Sequence, residues 1–513
     1  MEDGLMYYAD DVFADVLPGE SVPFKFPIPD YHMPGTHWYH PHHHHATALQ
    51  AGGGAAGALI VNDPPGYLPD VYAEMKEKVI FFSAHNLQTL QEMAVESDST
   101  LLENAIDTAT QADLPTNVFL ANGELGPTHT IESHSWCRFR MIYAAVEQSL
   151  NLRLLPSTGG ASCSMQLMAK DGVYLPTMPR EIETIHLFPG ARADVAISCV
   201  CEEYPCSALL ASDANAPGGL PPPPPPRRLQ RPPRPPGGKP PPGMGGGGPP
   251  PDLPAAEGVS VNITYFLITE KVGGTRTTLP PVSVERPCYA VDLRSLGRNE
   301  VESGRIALNG RGRRVEFNGQ GQRMTFDAVQ AIGSKLNWPA LAQVEVGKVY
   351  EFTVEGNGAH PLHIHVNPYQ IVELPNNNAP LGNGYFQVGD WHDTLLLPGL
   401  GGGDSMKVRM QMDRFTGKMV IHCHILAHED EGMMAFINIA GNEGTVWAGA
   451  EQIDGSCARG AFSATTPSTG LTTAGTITTS SDDVSGACRV QALSSTTAAA
   501  LLAVLLASSA LGI

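Results

Sequence analysis

One segment of the chain, HCHILAHEDEGM at residues 422–433, combines a thiol, imidazoles and a thioether. A trigonal blue-copper site uses one thiolate, two imidazoles and a weak, long axial thioether. Cys423, His428 and Met433 supply three of these groups, and His360 can supply the second imidazole from a distant strand. The segment therefore predicts a mononuclear copper site.

The neighbours of the cysteine predict a second site behind the first. Successive side chains of a strand point to opposite faces, so Cys423 faces one way while His422 and His424 face the other. The thiolate can hold one copper while both imidazoles hold a different copper cluster. Covalent bonds through Cys423 would then give electrons a short path between the two sites.

Two further histidine clusters, GTHWYHPHHHH at 35–45 and HPLHIH at 360–365, could complete that cluster. By the same period of two, His40 and His42 share a face, as do His363 and His365. Imidazole also suits zinc and iron, a run such as His42–His45 can bind metal adventitiously, and the second pair alone could be core or zinc residues. Taken with the segment at 422–433, the three clusters favour copper.

Composition limits the classes of partner. The 513 residues are enough for about three domains. The formal net charge of −20 argues against nucleic acid or an anionic membrane surface as a partner.

Short alternating runs such as Tyr350, Phe352 and Val354, punctuated by Gly, Pro, Asn and Asp turns, predict an all-β chain of sandwiches. A helix is expected around Leu87–Ile106. The clustered Cys199, Cys201 and Cys206 suggest disulfides more than a metal site.

The segments GTHWYHPH, HPLHIH and HCHILAHEDEGMM resemble three of the four copper motifs of the multicopper oxidases, a family of laccases, ferroxidases and bilirubin-oxidase-like enzymes. The resemblance implies tandem cupredoxin-like (plastocyanin-type) Greek-key β-sandwiches and up to four copper ions. It implies a type 1 copper on His360, Cys423 and His428 with Met433 axial, and a type 2 copper on His363. The type 3 pair would be bound by His40, His42, His365, His422 and His424.

Acidic residues would serve proton delivery. Glu429 resembles the family's proton-delivering carboxylate near dioxygen, with surface solvation as the alternative. Asp10 or Asp11 matches an acidic residue that precedes the strand to the HPH motif. Asp393 could orient a histidine ligand or cap a turn.

The family's first motif, His-x-His, should lie where Met1–Leu5 stands, and both of its histidines are absent there. His37, His43, His44 and His45 are unsuited to replace them, since their faces and strand differ. Met1–Asp11 is polar and acidic, so we do not expect it to be a signal peptide. A further N-terminal segment would explain both observations.

The expected organisation has six parts: 1–70, the C-terminal part of cupredoxin domain 1; 71–216, a middle cupredoxin domain; 217–255, a Pro/Gly-rich insertion; 256–445, the rest of the middle domain and a C-terminal cupredoxin domain with the type 1 copper; 446–496, a Ser/Thr-rich stalk; 497–513, a hydrophobic tail. The tail fits a glycolipid-anchor signal, a single-span anchor or a tail of no consequence. An extracellular or cell-surface location follows from an anchor.

The resemblance implies an oxidase. Phenolic or metal-ion reductants would give single electrons to the type 1 copper, and four such events would reduce dioxygen to water. The alternative is a copper-binding electron carrier or surface protein without a complete cluster. A purely structural sandwich leaves Cys423 and Met433 unexplained.

Overall fold

The structure is a computed structural model. It describes residues 7–8, 12–13, 16, 21, 24–25, 28–86, 117–212, 261–271, 276–310, 312–325, 327–329, 337–397 and 404–460. The expected helix at 87–106, the Pro/Gly-rich insertion, the hydrophobic tail and the Met1–Leu5 position lie outside these residues.

Strands dominate the described residues, and the all-β expectation is confirmed. A first group of strands builds a two-sheet sandwich. Its larger sheet has the order β11-β10-β14-β8-β5-β6, with β12 also paired to β10, and its smaller sheet has the order β13-β9-β15-β16-β7. These strands are β5 (Lys76–Asn86), β6 (Asn117–Ala121), β7 (Thr128–Glu132), β8 (Cys137–Ala145), β9 (Leu150–Thr158), β10 (Ser162–Lys170), β11 (Val173–Tyr174), β12 (Arg180–Ile182), β13 (Ile185–Leu187), β14 (Arg192–Val200), β15 (Cys206–Ser212) and β16 (Val261–Thr269). We call this the middle sandwich.

A second group of strands builds the C-terminal sandwich. Its sheets have the orders β19-β18-β17-β21-β26-β23-β24 and β20-β28-β27-β22-β25. These strands are β17 (Glu302–Asn309), β18 (Arg314–Phe317), β19 (Gln320–Gln322), β20 (Gln343–Glu345), β21 (Val349–Glu355), β22 (Leu362–Ile364), β23 (Tyr369–Glu373), β24 (Trp391–His392), β25 (Thr394–Leu395), β26 (Ser405–Gln411), β27 (Gly417–Cys423) and β28 (Met434–Ala440).

Before the middle sandwich, β3 (Gly35–Tyr39) pairs antiparallel with β4 (Gly57–Val61), and β1 (Tyr7–Tyr8) pairs with β2 (Phe24–Lys25). The α-helices are short: α1 (Thr47–Gly52), α2 (Asp70–Ala73), α3 (Pro375–Asn378), α4 (Leu426–Asp430) and α5 (Ala450–Ile453). Two 3-10 turns lie at Cys288–Ala290 and Leu293–Ser295. Within the described part of the chain, no helix combines the length and apolarity needed to cross a membrane.

Alternating burial explains why these segments are strands. In β21, Val349, Phe352 and Val354 are buried, while Glu351 and Thr353 between them are partly exposed. One continuous hydrophobic core runs through both sandwiches. This core holds the strands that carry the histidines in fixed register.

Disulfides hold neighbouring segments together. Cys163–Cys199 links the paired strands β10 and β14, and Cys201–Cys206 closes the turn before β15. Cys288–Cys457 joins the chain before the C-terminal sandwich to the chain after it. The clustered cysteines therefore form bridges. Cross-links of this kind restrict the unfolded chain and so stabilise the fold.

Candidate metal centre

Two adjacent strands place the thiol and its imidazole partners. β22 and β27 pair antiparallel, with Leu362 opposite Cys423 and His363 opposite His422. His360 lies two residues before Leu362, so it approaches the same end of the sheet as Cys423. The register thus delivers residues that are distant in sequence to one point.

His360, Cys423 and His428 form a tight triangle of potential ligand atoms. The Nδ1 atoms of His360 and His428 are 3.2 Å apart. The Sγ atom of Cys423 lies 3.5 Å from Nδ1 of His360 and 3.7 Å from Nδ1 of His428. A point equidistant from the three atoms is about 2 Å from each, a normal bond length from a first-row metal to imidazole. The donor set and its spacing therefore fit a copper ion.

Met433 is held against this triangle by the backbone. Its N–H donates to the carbonyl of His428 at 2.9 Å, and its carbonyl accepts from the N–H of Cys423 at 3.2 Å. Its side chain is fully buried. The turn after α4 thus pairs the backbone of Met433 with that of Cys423.

Burial sets the protonation of the triangle. It lowers the pKa of His428 to about 2, assisted by Arg313 and His360, and lowers the pKa of His360 to about 4, assisted by Arg313. Both imidazoles are therefore neutral at neutral pH, which is the form that binds metal. Burial also raises the pKa of the Cys423 thiol to about 12. A bound cation supplies the charge that the buried thiolate needs.

A second group of imidazoles meets on the other side of β27. The Nε2 atom of His422 lies 3.4 Å from Nε2 of His42 and 3.2 Å from Nε2 of His365. Burial, and then the neighbouring imidazoles, keep the pKa of His422 and of His42 well below the usual value. Three imidazole nitrogens that converge in this way also suit a metal ion.

The remaining predicted imidazoles surround this group. The ring of His363 lies 4.6 Å from the ring of His365 and 5.1 Å from those of His422 and His424, between centroids. His40 stacks on Trp38 at 4.3 Å, and its ring is 5.4 Å from that of His424. The structure therefore gathers all six histidines predicted for the multinuclear cluster.

Two family models, each described as multicopper oxidase, match residues 317–442 and 1–66. Both matched segments are therefore similar to multicopper oxidases. The matched segments include the residues of the triangle and the HPH segment.

Curated proteins and solved structures are also similar to parts of this chain. The chain is 26% identical over 97 residues to a laccase of Haloferax volcanii and 34% identical over 101 residues to a bilirubin oxidase of Albifimbria verrucaria. Each match covers 19% of this chain, and 16% and 17% of those relatives respectively. The 2F4 variant of the McoA multicopper oxidase from Aquifex aeolicus superimposes with a TM-score of 0.54 at 19% identity, over 80% of this chain and 77% of that one. This likeness shows the fold, and the expectation of tandem cupredoxin-like domains is confirmed.

Glu429 lies between two imidazoles of the histidine cluster. Its Oε1 is 3.5 Å from Nδ1 of His42, and its Oε2 is 3.2 Å from Nδ1 of His422. Thr47 donates a hydrogen bond of 3.0 Å to Oε1. The side chain is fully buried, so the alternative of surface solvation is wrong. A buried carboxylate in contact with these Nδ1 atoms can hold or move protons.

The backbone of Asp393 contacts the ring of His363. Its carbonyl oxygen and the hydroxyl of Thr394 each lie 2.9 Å from Nδ1 of His363, which leaves Nε2 for the cluster. Its carboxylate accepts two hydrogen bonds from Arg192 of the middle sandwich, at 2.7 and 2.5 Å. Sequence reasoning missed Arg192, because no periodicity relates residues 201 positions apart. Of the two readings of Asp393, the contacts favour orientation of a histidine.

Asp10 and the alternative Asp11 lie outside the described residues. Of the histidines judged unsuited to replace the first motif, His44 contacts the carbonyl of Met324 at 2.5 Å and His45 that of Asp430 at 2.6 Å.

Proposed function

We propose that the chain is a copper-dependent oxidase that couples one-electron oxidation of small reductants to the reduction of dioxygen to water. The observation that carries this proposal is Cys423, whose sulfur belongs to one ligand group while His422 belongs to another. The family and the homology to a laccase and a bilirubin oxidase support it.

The ligands would divide between copper types as follows: type 1 on His360, Cys423 and His428 with Met433 axial; type 2 on His363; type 3 on His40, His42, His365, His422 and His424. Bound copper would supply the redox chemistry, accepting single electrons and passing them to dioxygen. His428 is partly exposed, whereas Cys423 and His422 are fully buried. The protein thus offers reductants one imidazole edge and keeps water from the thiol.

Protons are needed when dioxygen becomes water, and the chain places a carboxylate for them. Glu429 touches the Nδ1 atoms of His42 and His422 and accepts from Thr47. We assign Glu429 to proton delivery at the imidazole cluster. Asp10 stays a prediction for the same role.

The test loads the purified full chain with copper and records visible absorption and dioxygen uptake. We expect an intense blue band together with uptake when a phenol is added. A Cys423→Ser variant should lose the blue band and most of the uptake, since a hydroxyl cannot replace the thiolate.

The matched control is Cys137→Ser, because Cys137 is also buried and outside the disulfides. This variant should stay blue and active. Blue colour without uptake would instead support an electron carrier. If Cys423→Ser leaves colour and copper content unchanged, the proposal is overturned.

We also propose that the protein acts outside the cell or at its surface. Three disulfides connect six of the eight described cysteines, and such bridges persist in oxidising compartments. Fractionation of expressing cells with an antibody to the C-terminal sandwich would test this location. Antigen confined to the cytosolic fraction would contradict it.

A further inference from the structure

The arginines of one segment stand out against the charge of the whole chain. Residues 311–323 contain Arg311, Arg313, Arg314 and Arg323, whereas the chain has 32 basic and 52 acidic residues. The segment includes β18 and β19, and Gly310, just before it, lies directly against the ring of His360. A Cβ added to Gly310 would lie 2.4 Å from Nε2 of that ring. The basic segment therefore begins at the triangle of ligand atoms.

Two of these arginines are fastened to the turn that carries His428. Nε of Arg313 donates to the carboxylate of Glu431 at 2.7 Å, and Nε of Arg323 donates to the carbonyl of Glu431 at 3.0 Å. Glu431 follows His428 by three residues, one turn of helix along. Met324, which follows Arg323, donates its N–H to the carbonyl of Gly432 at 2.8 Å. Both guanidinium groups are thus positioned by the same turn as the partly exposed imidazole of His428.

The outward groups of the two arginines remain available. Each uses its Nε on Glu431, and no described residue accepts a hydrogen bond from the terminal NH2 groups of either one. The side chain of Arg313 is 29% exposed. Paired NH2 groups of this kind match the geometry of a carboxylate. The field of Arg313 also reaches both imidazoles, since it contributes to the lowered pKa of His360 and of His428.

The same surface is a poor site for a cationic reductant. The carboxylate of Glu431 is already paired with Arg313. Among the described residues, His428 belongs to one candidate metal-binding group, which is the triangle itself. A ferrous ion at this surface would therefore meet the positive charge of Arg313 and a carboxylate that is already paired.

We propose that Arg313 and Arg323 form an anion-binding subsite beside His428, and that the reductants of this protein are aromatic compounds that bear a carboxylate. This inference rests on the proposed oxidase function, and it selects among its substrates. The carboxylate would lie on the arginine pair and the electron-donating ring against the edge of His428.

The kinetic test compares two phenols that differ in one carboxylate, 4-hydroxy-3,5-dimethoxybenzoate and 2,6-dimethoxyphenol, on the copper-loaded full chain. Arg313→Gln and Arg323→Gln should each raise KM for the benzoate about tenfold, the order expected of one charge-assisted hydrogen bond. KM for the neutral phenol should change less than twofold. Added salt should raise KM for the benzoate alone, because it screens charge.

The matched control is Arg459→Gln. Arg459 is likewise partly exposed and likewise uses its Nε on a glutamate, Glu451. This variant should leave both KM values unchanged. The blue band of every variant reports that the triangle is intact.

A binding measurement separates failure of the inference from failure of the oxidase function. Saturation-transfer NMR on the reduced, copper-loaded chain under nitrogen would follow 3,4,5-trimethoxybenzoate, which has no phenol to oxidise, against neutral 1,2,3-trimethoxybenzene. We expect binding of the benzoate that Arg313→Gln weakens about tenfold. Equal binding of both compounds, or equal effects of Arg313→Gln on both phenols, would overturn the subsite. A colourless, inactive chain that still binds the benzoate through Arg313 would overturn the oxidase function alone.

Discussion

At the scale of single residues, Glu429 shows how one carboxylate can contact two histidines of the imidazole cluster at once. Its two oxygens face Nδ1 atoms of two histidines, whose Nε2 atoms face each other at 3.4 Å. Because the Glu429 carboxylate is fully buried, protons from solvent can reach it only through the protein. Its contacts therefore concern the imidazole cluster and leave the Cys423 triangle alone.

Replacement of Glu429 by glutamine should slow the dioxygen half of the reaction and spare the reductant half. Gln is nearly isosteric, but it cannot deliver a proton. We expect stopped-flow bleaching of the blue band by a phenol to keep its rate, while recolouring by dioxygen slows about a hundredfold. Glu451→Gln, at an exposed glutamate, serves as the control. Slower bleaching with normal recolouring would contradict the assignment.

At the scale of elements, strand alternation predicts which way the side chains around Cys423 face. The pairing between distant strands could not be predicted from the sequence. Cys423 and His422 do face opposite ligand groups, as a strand requires. His40 and His42 come together for a different reason, because both lie in the loop after β3. Strand alternation therefore predicted that His40 and His42 lie together, but these two residues are not on a strand. The pairing of β22 with β27, which sets His363 opposite His422, joins residues 59 positions apart and leaves no local trace.

Arg192, the first residue of β14, links three segments of the cluster. It donates to Asp393 beside His363, to the carbonyl of Gly190 and to that of Thr36 on β3. Gly190 packs on His424, since a Cβ there would lie 2.6 Å from the ring. The guanidinium of Arg192 thus connects segments of both sandwiches with strand β3.

Arg192→Met should therefore weaken copper binding at the multinuclear cluster and leave copper binding at the mononuclear site unchanged. Loss of partners that orient ligands typically costs about 10- to 100-fold in metal affinity. We expect a blue band of normal intensity, with fewer copper ions per chain by elemental analysis and altered type 2 signals by electron paramagnetic resonance. Arg192→Lys should rescue little, because it cannot form the two-pronged contact. A uniform loss of all copper, including the blue band, would show a merely structural role.

At the scale of the whole molecule, a buried ion pair joins the two sandwiches. Asp390, just before β24, accepts from Lys170 of β10 at 2.7 Å and from Arg180 of β12 at 2.7 Å. Asp390 is fully buried and Lys170 nearly so. From the sequence alone, each of these charged residues is expected at the surface. They are buried because the two sandwiches pack against each other at this point.

Asp390→Asn should destabilise the protein at neutral pH and much less in acid. Burial alone would raise the pKa of Asp390, but Lys170 and Arg180 hold it below its usual value. A carboxyl with a depressed pKa stabilises the fold above its unfolded pKa, and that contribution is lost as the pH falls through the folded value. At pH 7 the variant also leaves buried Lys170 unpaired, so we expect a loss of about 3–5 kcal/mol in the free energy of unfolding. Urea unfolding should show this gap narrowing below pH 4. Asp292→Asn, at a pair 43% exposed on each side, should cost under about 1 kcal/mol throughout. A gap that does not change with pH would mean that Asp390 acts through its shape and hydrogen bonds alone, without its charge.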